Sequence, residues 1–364
     1  MADTLLLPAE TCRAQIVSVL TAWGMDPATV RVTAEVMVET DLAGVDSHGI
    51  SMLMDYDESR LKGRLNLQAK PRVVRESPVT ALVDADAGLG HPASVMAMEL
   101  AIAKAKAAGV GVVAVRNSHH FGAAGYYAEM APKHGLLGLV TSATRTIGVV
   151  PTRAAVPVLG TNPIAFAAPA ARNRPFRLDM ATSTVAANKV RVYGLAGKPL
   201  PAGWVLDGKG SPITDGNAGW DIIKNQPEGG LTPVGGTPEM ASHKGYGLGM
   251  MAHILGGVLS GASFSPIRVR TQRPQDPDNI GHFFMALDPT AFREEGEFEA
   301  DMDEAIDVLH QTRPADPALP VLVAGDPEAA SRERRLREGI PISPSLAEQL
   351  RGVCARAGVP CLLP

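Results

Sequence analysis

Cysteine is scarce in this chain: Cys12, Cys354 and Cys361 are the only three in 364 residues. An odd number at scattered positions builds neither a disulfide framework nor the paired spacing of a structural zinc site. Charge of one sign is also lacking, with a formal net charge of −4. The densest basic stretch, "SRERRLRE", alternates with Glu as a solvated helix face does. Nucleic acid and membrane are therefore not expected partners. The opening "MADTLLLPAE" is acidic, and its apolar run is too short for a signal core, so a soluble cytoplasmic protein is expected. One stretch without formal charge, Tyr246 to Phe264, is nearly long enough to span a bilayer. Its five glycines, its His and the preceding "SHK" make it a buried helix instead. No tandem repeat or low-complexity tract is present.

What is there is the composition of a folded protein. Hydrophobic residues make up 45% and charged residues 20%, and the length allows two domains. Helical spacing predicts helices over 10–24, 27–44 and 50–62, the second opened by Pro27. Residues 66–79 read as an extended connector with prolines at 71 and 78. From Val79 the texture alternates: strand "VTALVDAD", helix "HPASVMAMELAIAKAKAAG", strand "VGVVAVR", a short helix and strand "LLGLVTSA". Prolines and glycines then crowd the region from 151 to 238, with short β-like pieces. Helix returns over 244–259, followed by strand "HFFMALD" and three helical patterns that end the chain. The C-terminal helices are expected to pack on the N-terminal ones.

"GLGHPA", Gly88 to Ala93, fits the glycine pattern of a dinucleotide-binding βαβ unit and lies between a strand and a helix. The acid expected at the end of the second strand is missing; Arg116 and Asn117 stand there. Two further matches in a chain of 37 glycines show how little the pattern selects. A phosphate-binding turn and a plain glycine turn both remain open on this ground.

Four stretches concentrate titratable side chains. "DSHGI" holds Asp46, Ser47 and His48; "RNSHHFG" holds Arg116, His119 and His120; "RLDMATS" holds Asp179; and "SHKGYG" holds His243 and Lys244. Each also has a structural reading. Ser47 and His48 suit a cap and turn. Adjacent histidines of an extended segment point to opposite faces, so at most one of His119 and His120 serves a common site. Asp179 suits a cap. Lys244 at a helix start opposes the helix dipole, a mismatch that an anion nearby would remove. No metal site is expected, since neither H-x-x-x-H nor a Cys pair accompanies the histidines. No G-x-S-x-G elbow supports a serine nucleophile, which leaves His48 as a proton donor or acceptor.

In this order, "DSHGI", "RNSHHFGAAGYY", "LGTNPIAF", "LDMATS", "GWVLDGKGSPITD", "HKGYGLGMM", "GHFFMALDP" and "VLVAGDPEA" resemble the malate/L-lactate dehydrogenase family. Its members also reduce ureidoglycolate-, sulfolactate-, diketogulonate- and cyclic-imine-2-carboxylate-type substrates. The resemblance covers residues 41 to about 328, and the flanking helices fit. It implies a mixed α and β fold that is not Rossmann: a mixed-sheet domain holding NAD or NADP over 76–289, and a helical domain from 1–75 with about 290–364. Gly88 and Gly90 are then turn residues.

The resemblance further implies a homodimer acting on a small-molecule substrate. His48 becomes the acid/base, with Ser47 beside it, Asp179 as relay partner, and His120 contacting substrate or sharing the proton work. Asp179, Met180, Ala181, Thr182, Ser183, His243, Lys244, Gly325, Asp326 and Pro327 line the dinucleotide. Many relatives carry an Arg shortly after "SHG", where this chain has Met52. A substrate carboxylate therefore falls to Arg116, Arg145 or Arg153. The expected function is hydride transfer between a nicotinamide and C2 of a small 2-hydroxy/2-oxo acid. Reduction of a cyclic imine 2-carboxylate, a non-catalytic dinucleotide-binding relative and a metal-dependent hydrolase are the alternatives.

Overall fold

A computed structural model describes residues 4–263 and 272–363; Phe264, at the end of the uncharged stretch, lies outside them. Among the described residues no helix is long and apolar enough to cross a membrane.

The two ends of the chain meet in one unit, composed of residues 1–140, 165–178 and 284–364. Strand β1 (Leu5–Leu7) pairs antiparallel with β11 (Ile340–Ile342). Helices α1 (Ala9–Ala22), α2 (Pro27–Leu42) and α3 (Leu53–Leu61) bury one core with the final helix. The start of α2 is written locally: Asp26 accepts the Ala28 N–H at 2.8 Å, and Pro27 occupies the first turn.

A seven-stranded mixed sheet has the order β2-β3-β4-β10-β5-β6-β7, with β2, β3 and β4 wholly in this unit. Strand β2 (Arg72–Glu76) runs antiparallel to β3 (Thr80–Asp84). Helix α4 (Gly90–Ala108) then returns the chain to β4 (Val110–Ser118), parallel to β3. Next come α5 (Ala124–Ala128), β5 (Leu137–Ala143), β6 (Ile164–Ala168) and β7 (Phe176–Met180). The stretch expected to be a bare connector thus contains β2. It is an edge strand, mostly exposed, so it has no buried side to imprint an alternating pattern.

The second unit comprises residues 141–164 and 179–283, so the division falls inside β7 after Leu178. It contains α6 (Ala187–Leu195), β8 (Val205–Leu206), α7 (Gly216–Asn225), β9 (Gly230–Leu231) and α8 (Ser242–His253). Helix α8 continues as a wider π turn over Ile254–Val258. Helices α6 and α7 went unread in the proline- and glycine-rich region. They approach so closely that a Cβ on Gly216 would lie 2.5 Å from the Gly194 nitrogen. The glycines that weaken the helical signal in the sequence are what lets the helices touch.

Strand β10 (Ile280–Leu287) leads back to the first unit, which ends with α9 (Glu297–Gln311), α10 (Asp326–Glu338) and α11 (Pro344–Ala357). Helix α10 lies on α2, and α11 lies on α1 and α3, as the sequence suggested for the chain ends.

Candidate active site

Strand β4 ends in a clamp. Arg116 Nε and Asn117 Nδ2 both donate to Asp84, at 3.2 and 3.0 Å. Asn117 has φ +51°, in the left-handed region that Asn tolerates. That turn sends His119 and His120 off the strand in different directions. His119 Nε2 donates to the Arg64 carbonyl at 3.0 Å inside the protein, a structural role. His120 meets two other groups: its Nδ1 lies 2.8 Å from the Tyr56 hydroxyl, and its ring centroid lies 5.1 Å from that of His48.

The backbone of this segment rests on the glycine turn. Gly90 N–H donates to the His120 carbonyl at 2.9 Å, and His119 N–H to the Gly88 carbonyl at 3.1 Å. A Cβ on Gly90 would lie 2.5 Å from the His119 oxygen and 2.6 Å from Phe121 Cβ. The Gly88 and Gly90 amides are spent inside the protein, so this turn is no phosphate cradle. Its glycines serve close approach of backbone to backbone.

His48 is brought to His120 by the turn after α2. Ser47 Oγ lies 2.7 Å from His48 Nδ1. Burial lowers the His48 pKa from its ordinary value. Asp46 does not join the histidines; it pairs with Arg335 of α10 and ties the turn down. Asp41, which the sequence reading passed over, holds the far side. Its Oδ2 accepts the Ile50 N–H at 2.8 Å, and a Cβ on Gly49 would fall 1.9 Å from its Oδ1. The "HG" of the motif thus needs glycine because the chain passes directly over a buried carboxyl.

Burial pushes the Asp41 carboxyl up to about 7, against the Ile50 N–H bond that lowers it and with Asp46 adding to the rise. The folded protein therefore keeps this proton to higher pH than the unfolded chain does. The stability tied to it is greatest below about 3.8 and falls as pH rises toward about 7. Asp41→Asn removes that loss, which can reach about 4 kcal/mol. In thermal melts the difference between wild type and Asp41→Asn should grow across this window. A pH-independent difference would show that Asp41 does not titrate there.

The second unit holds Asp179 to Ser183, His243, Lys244, Arg145 and Arg153. Asp179 and Met180 end β7, and the following hydroxyls are tied to the chain itself. Thr182 Oγ1 donates to the Thr161 carbonyl at 3.0 Å, and Ser183 Oγ to Val185 at 2.9 Å. Helix α8 is drawn onto this segment by glycine: a Cβ on Gly249 would lie 3.0 Å from Thr182 Oγ1, and one on Gly245 2.2 Å from the Val234 oxygen. His243 and Lys244 are exposed on the first turn of α8, whose start has no side-chain cap. The Ser242 and Lys244 amides of that turn already donate to the Thr237 and Ala241 carbonyls, at 3.2 and 3.0 Å, so it is the exposed Lys and His side chains that suit a pyrophosphate. The donor set fits a dinucleotide.

Arg145 of this unit is paired with Asp278 at 3.0 Å, and Arg153 has φ +69°. Gly325, Asp326 and Pro327 belong to the first unit, at the start of α10, where Asp326 accepts the Val323 N–H at 2.7 Å and bonds His310. Met52 packs against the helical core. A cleft of about 580 Å³ in the first unit holds none of the histidines. Three pairs of its charges bond each other: Glu39 with Arg332, Glu129 with Arg177 and Glu333 with Arg174. Among the described residues no three His, Cys, Asp or Glu side chains gather as a metal site.

The comparisons with known proteins agree on one family. The family model described as malate/L-lactate dehydrogenase matches residues 7–351. The chain is 37% identical to a malate dehydrogenase of Pyrococcus abyssi, over 97% of this chain and 95% of the relative. It superposes on the crystal structure of malate dehydrogenase from Entamoeba histolytica with a TM-score of 0.91 at 30% identity, covering 99% of each chain. It also superposes on the delta1-piperideine-2-carboxylate reductase of Pseudomonas syringae, with a TM-score of 0.81 at 31% identity, covering 96% of this chain and 100% of that one. With a family match along nearly its whole length, and with the "DSHG" and "HHFG" histidines side by side in the fold, this chain belongs to the malate/L-lactate dehydrogenase family of oxidoreductases.

Proposed function

We propose that the protein is an NAD- or NADP-dependent dehydrogenase acting at C2 of a small 2-hydroxy/2-oxo acid, with His48 as the acid/base. The observation that carries this is the Ser47 Oγ to His48 Nδ1 contact of 2.7 Å, with the His120 ring 5.1 Å from that of His48.

A hydroxyl both donates and accepts. Ser47 therefore keeps a bond to Nδ1 whether His48 is neutral or protonated, and the ring holds its orientation while its charge changes. In the oxidative direction neutral His48 takes the proton of the substrate hydroxyl. In the reductive direction protonated His48 returns it to the developing oxyanion. The nicotinamide, when bound, supplies or accepts the hydride. The Lys244 and His243 side chains would hold its pyrophosphate, and Asp179 to Ser183 and Gly325 to Pro327 are the other residues assigned to it. The substrate carboxylate falls to Arg116, Arg145 or Arg153. A cytoplasmic homodimer completes the proposal.

One comparison favours a second reading. The likeness to a cyclic-imine carboxylate reductase gives that substrate class a place in the test.

The test is loss of reduced-nicotinamide absorbance with NADH or NADPH, across pyruvate, oxaloacetate, other 2-oxo acids and a cyclic imine carboxylate. Turnover of a 2-oxo acid is the expected result. Turnover of the imine alone would replace the proposed substrate class, and binding of reduced nucleotide without any turnover would favour a non-catalytic relative. Lys244→Ala should raise the Kd for the reduced dinucleotide about 10- to 100-fold, the worth of one charge-assisted bond. Fluorescence titration measures it, and an unchanged Kd would remove Lys244 from the cofactor site.

A further inference from the structure

The two histidines at the site differ in what holds their Nδ1 atoms. His48 Nδ1 meets a serine hydroxyl, which adapts to either protonation state. His120 Nδ1 meets the Tyr56 hydroxyl at 2.8 Å and the Gly122 backbone N–H at 3.3 Å. A backbone N–H can only donate, so His120 Nδ1 must accept, and the proton of the neutral ring sits on Nε2.

Behind His120 the direction continues. The Tyr56 hydroxyl has one proton, and its shorter contact is to His120 Nδ1. The longer one, 3.4 Å to His91 Nε2, then places the His91 proton on Nε2, donating to the phenol oxygen. The chain runs one way: His91 Nε2–H to the Tyr56 oxygen, then Tyr56 O–H to His120 Nδ1. Reversing it would set a proton on His120 Nδ1 against the Gly122 N–H. Tyr56 and His91 are fully enclosed, where an aligned chain of hydrogen bonds gains strength. Burial also raises the Tyr56 phenol well above its usual range, so it stays a donor. Gly122 has φ +81°, and a Cβ there would lie 3.2 Å from Val36 Cγ1. The amide that fixes the direction is thus itself held by a glycine-only conformation.

We propose that Tyr56 is a positioning residue that, with the Gly122 amide, locks His120 as its Nε2–H tautomer, so that His120 serves the substrate oxygen as a hydrogen-bond donor and His48 alone exchanges the proton. The tautomer stands on the geometry by itself; the role toward substrate rests on the proposed function. Proton exchange at His48 follows the adaptable Ser47 partner, while adding a proton at His120 Nδ1 loses the Gly122 bond and forces the Tyr56 hydroxyl to turn round.

The experiment uses the full chain labelled with ¹⁵N-histidine, with no cofactor or substrate added, read by long-range ¹H–¹⁵N correlation. His120→Gln assigns the signal. The expected spectrum shows His120 with a protonated Nε2 and a bare Nδ1. In Tyr56→Phe only the longer Gly122 bond opposes a proton on Nδ1, so the Nδ1–H tautomer of His120 should become detectable, and the melting temperature should fall because the buried His91 Nε2–H loses its acceptor. Once a substrate is known, the same variant should lose up to about tenfold in kcat/KM, the worth of one hydrogen bond. A proton on Nδ1 in the wild type, or a Tyr56→Phe spectrum identical to wild type, would overturn the tautomer lock. A silent substrate panel with the expected spectrum would refute the proposed function and leave the lock standing.

Discussion

Replacing His48 with alanine lowers kcat/KM for the 2-oxo acid by about 10²- to 10⁴-fold, the usual worth of a positioned acid/base. Binding of reduced dinucleotide persists, since the residues assigned to it lie elsewhere in the sequence. The pH profile gives an independent check on sign. Burial lowers the His48 pKa, so the neutral base needed for oxidation is present down to a pH below the ordinary histidine value of 6.5. Oxidation should rise with pH through that lowered pKa and then stay level; reduction should fall through the same region. Both limbs should vanish in the alanine variant. Near-normal turnover of His48→Ala would remove the acid/base assignment.

Gly90→Ala is expected to destabilise the protein by about 3 kcal/mol, as overpacking against fixed backbone does. On helix propensity alone the change would stabilise by about 0.5–1 kcal/mol, since Gly90 opens α4. The two expectations have opposite signs, so one urea titration separates them. The clash decides, because the added Cβ meets the His119 carbonyl at 2.5 Å and Phe121 Cβ at 2.6 Å. Relief of that clash moves the strand end carrying His120, so turnover should fall along with stability. An alanine variant as stable as wild type would mean that the turn has slack.

Much of this was legible without coordinates. Asp26 and Pro27 begin α2, because capping and a preset φ act within a few residues. The run from Thr80 to Ser118 reads as strand, helix, strand because two short Val-rich apolar runs flank a long stretch of the helix formers Ala, Met, Leu and Lys. The four motif stretches are separately visible, and the rule that neighbouring side chains of an extended segment diverge already implied that His119 and His120 part company.

Other features depend on residues far apart in the chain. Nothing near Tyr56 in "LMDYDESR" marks it; its meaning comes from His120, 64 residues away, and His91, 35 away. Asp41 reads as an ordinary helical acid until the fold lays Gly49 and Ile50 over it. The glycines of "GLGHPA" favour a cofactor loop or a plain turn equally until the backbone of His119 to Phe121 is found against Gly90. Local sequence determined where the strongly patterned elements such as α2 and α4 begin, and which side chains carry chemistry, since those depend on neighbours along the chain. Only the tertiary structure decided which histidine faces which partner and on which nitrogen the proton sits, because hydrogen bonds and close contacts between distant segments exist only once the chain is packed.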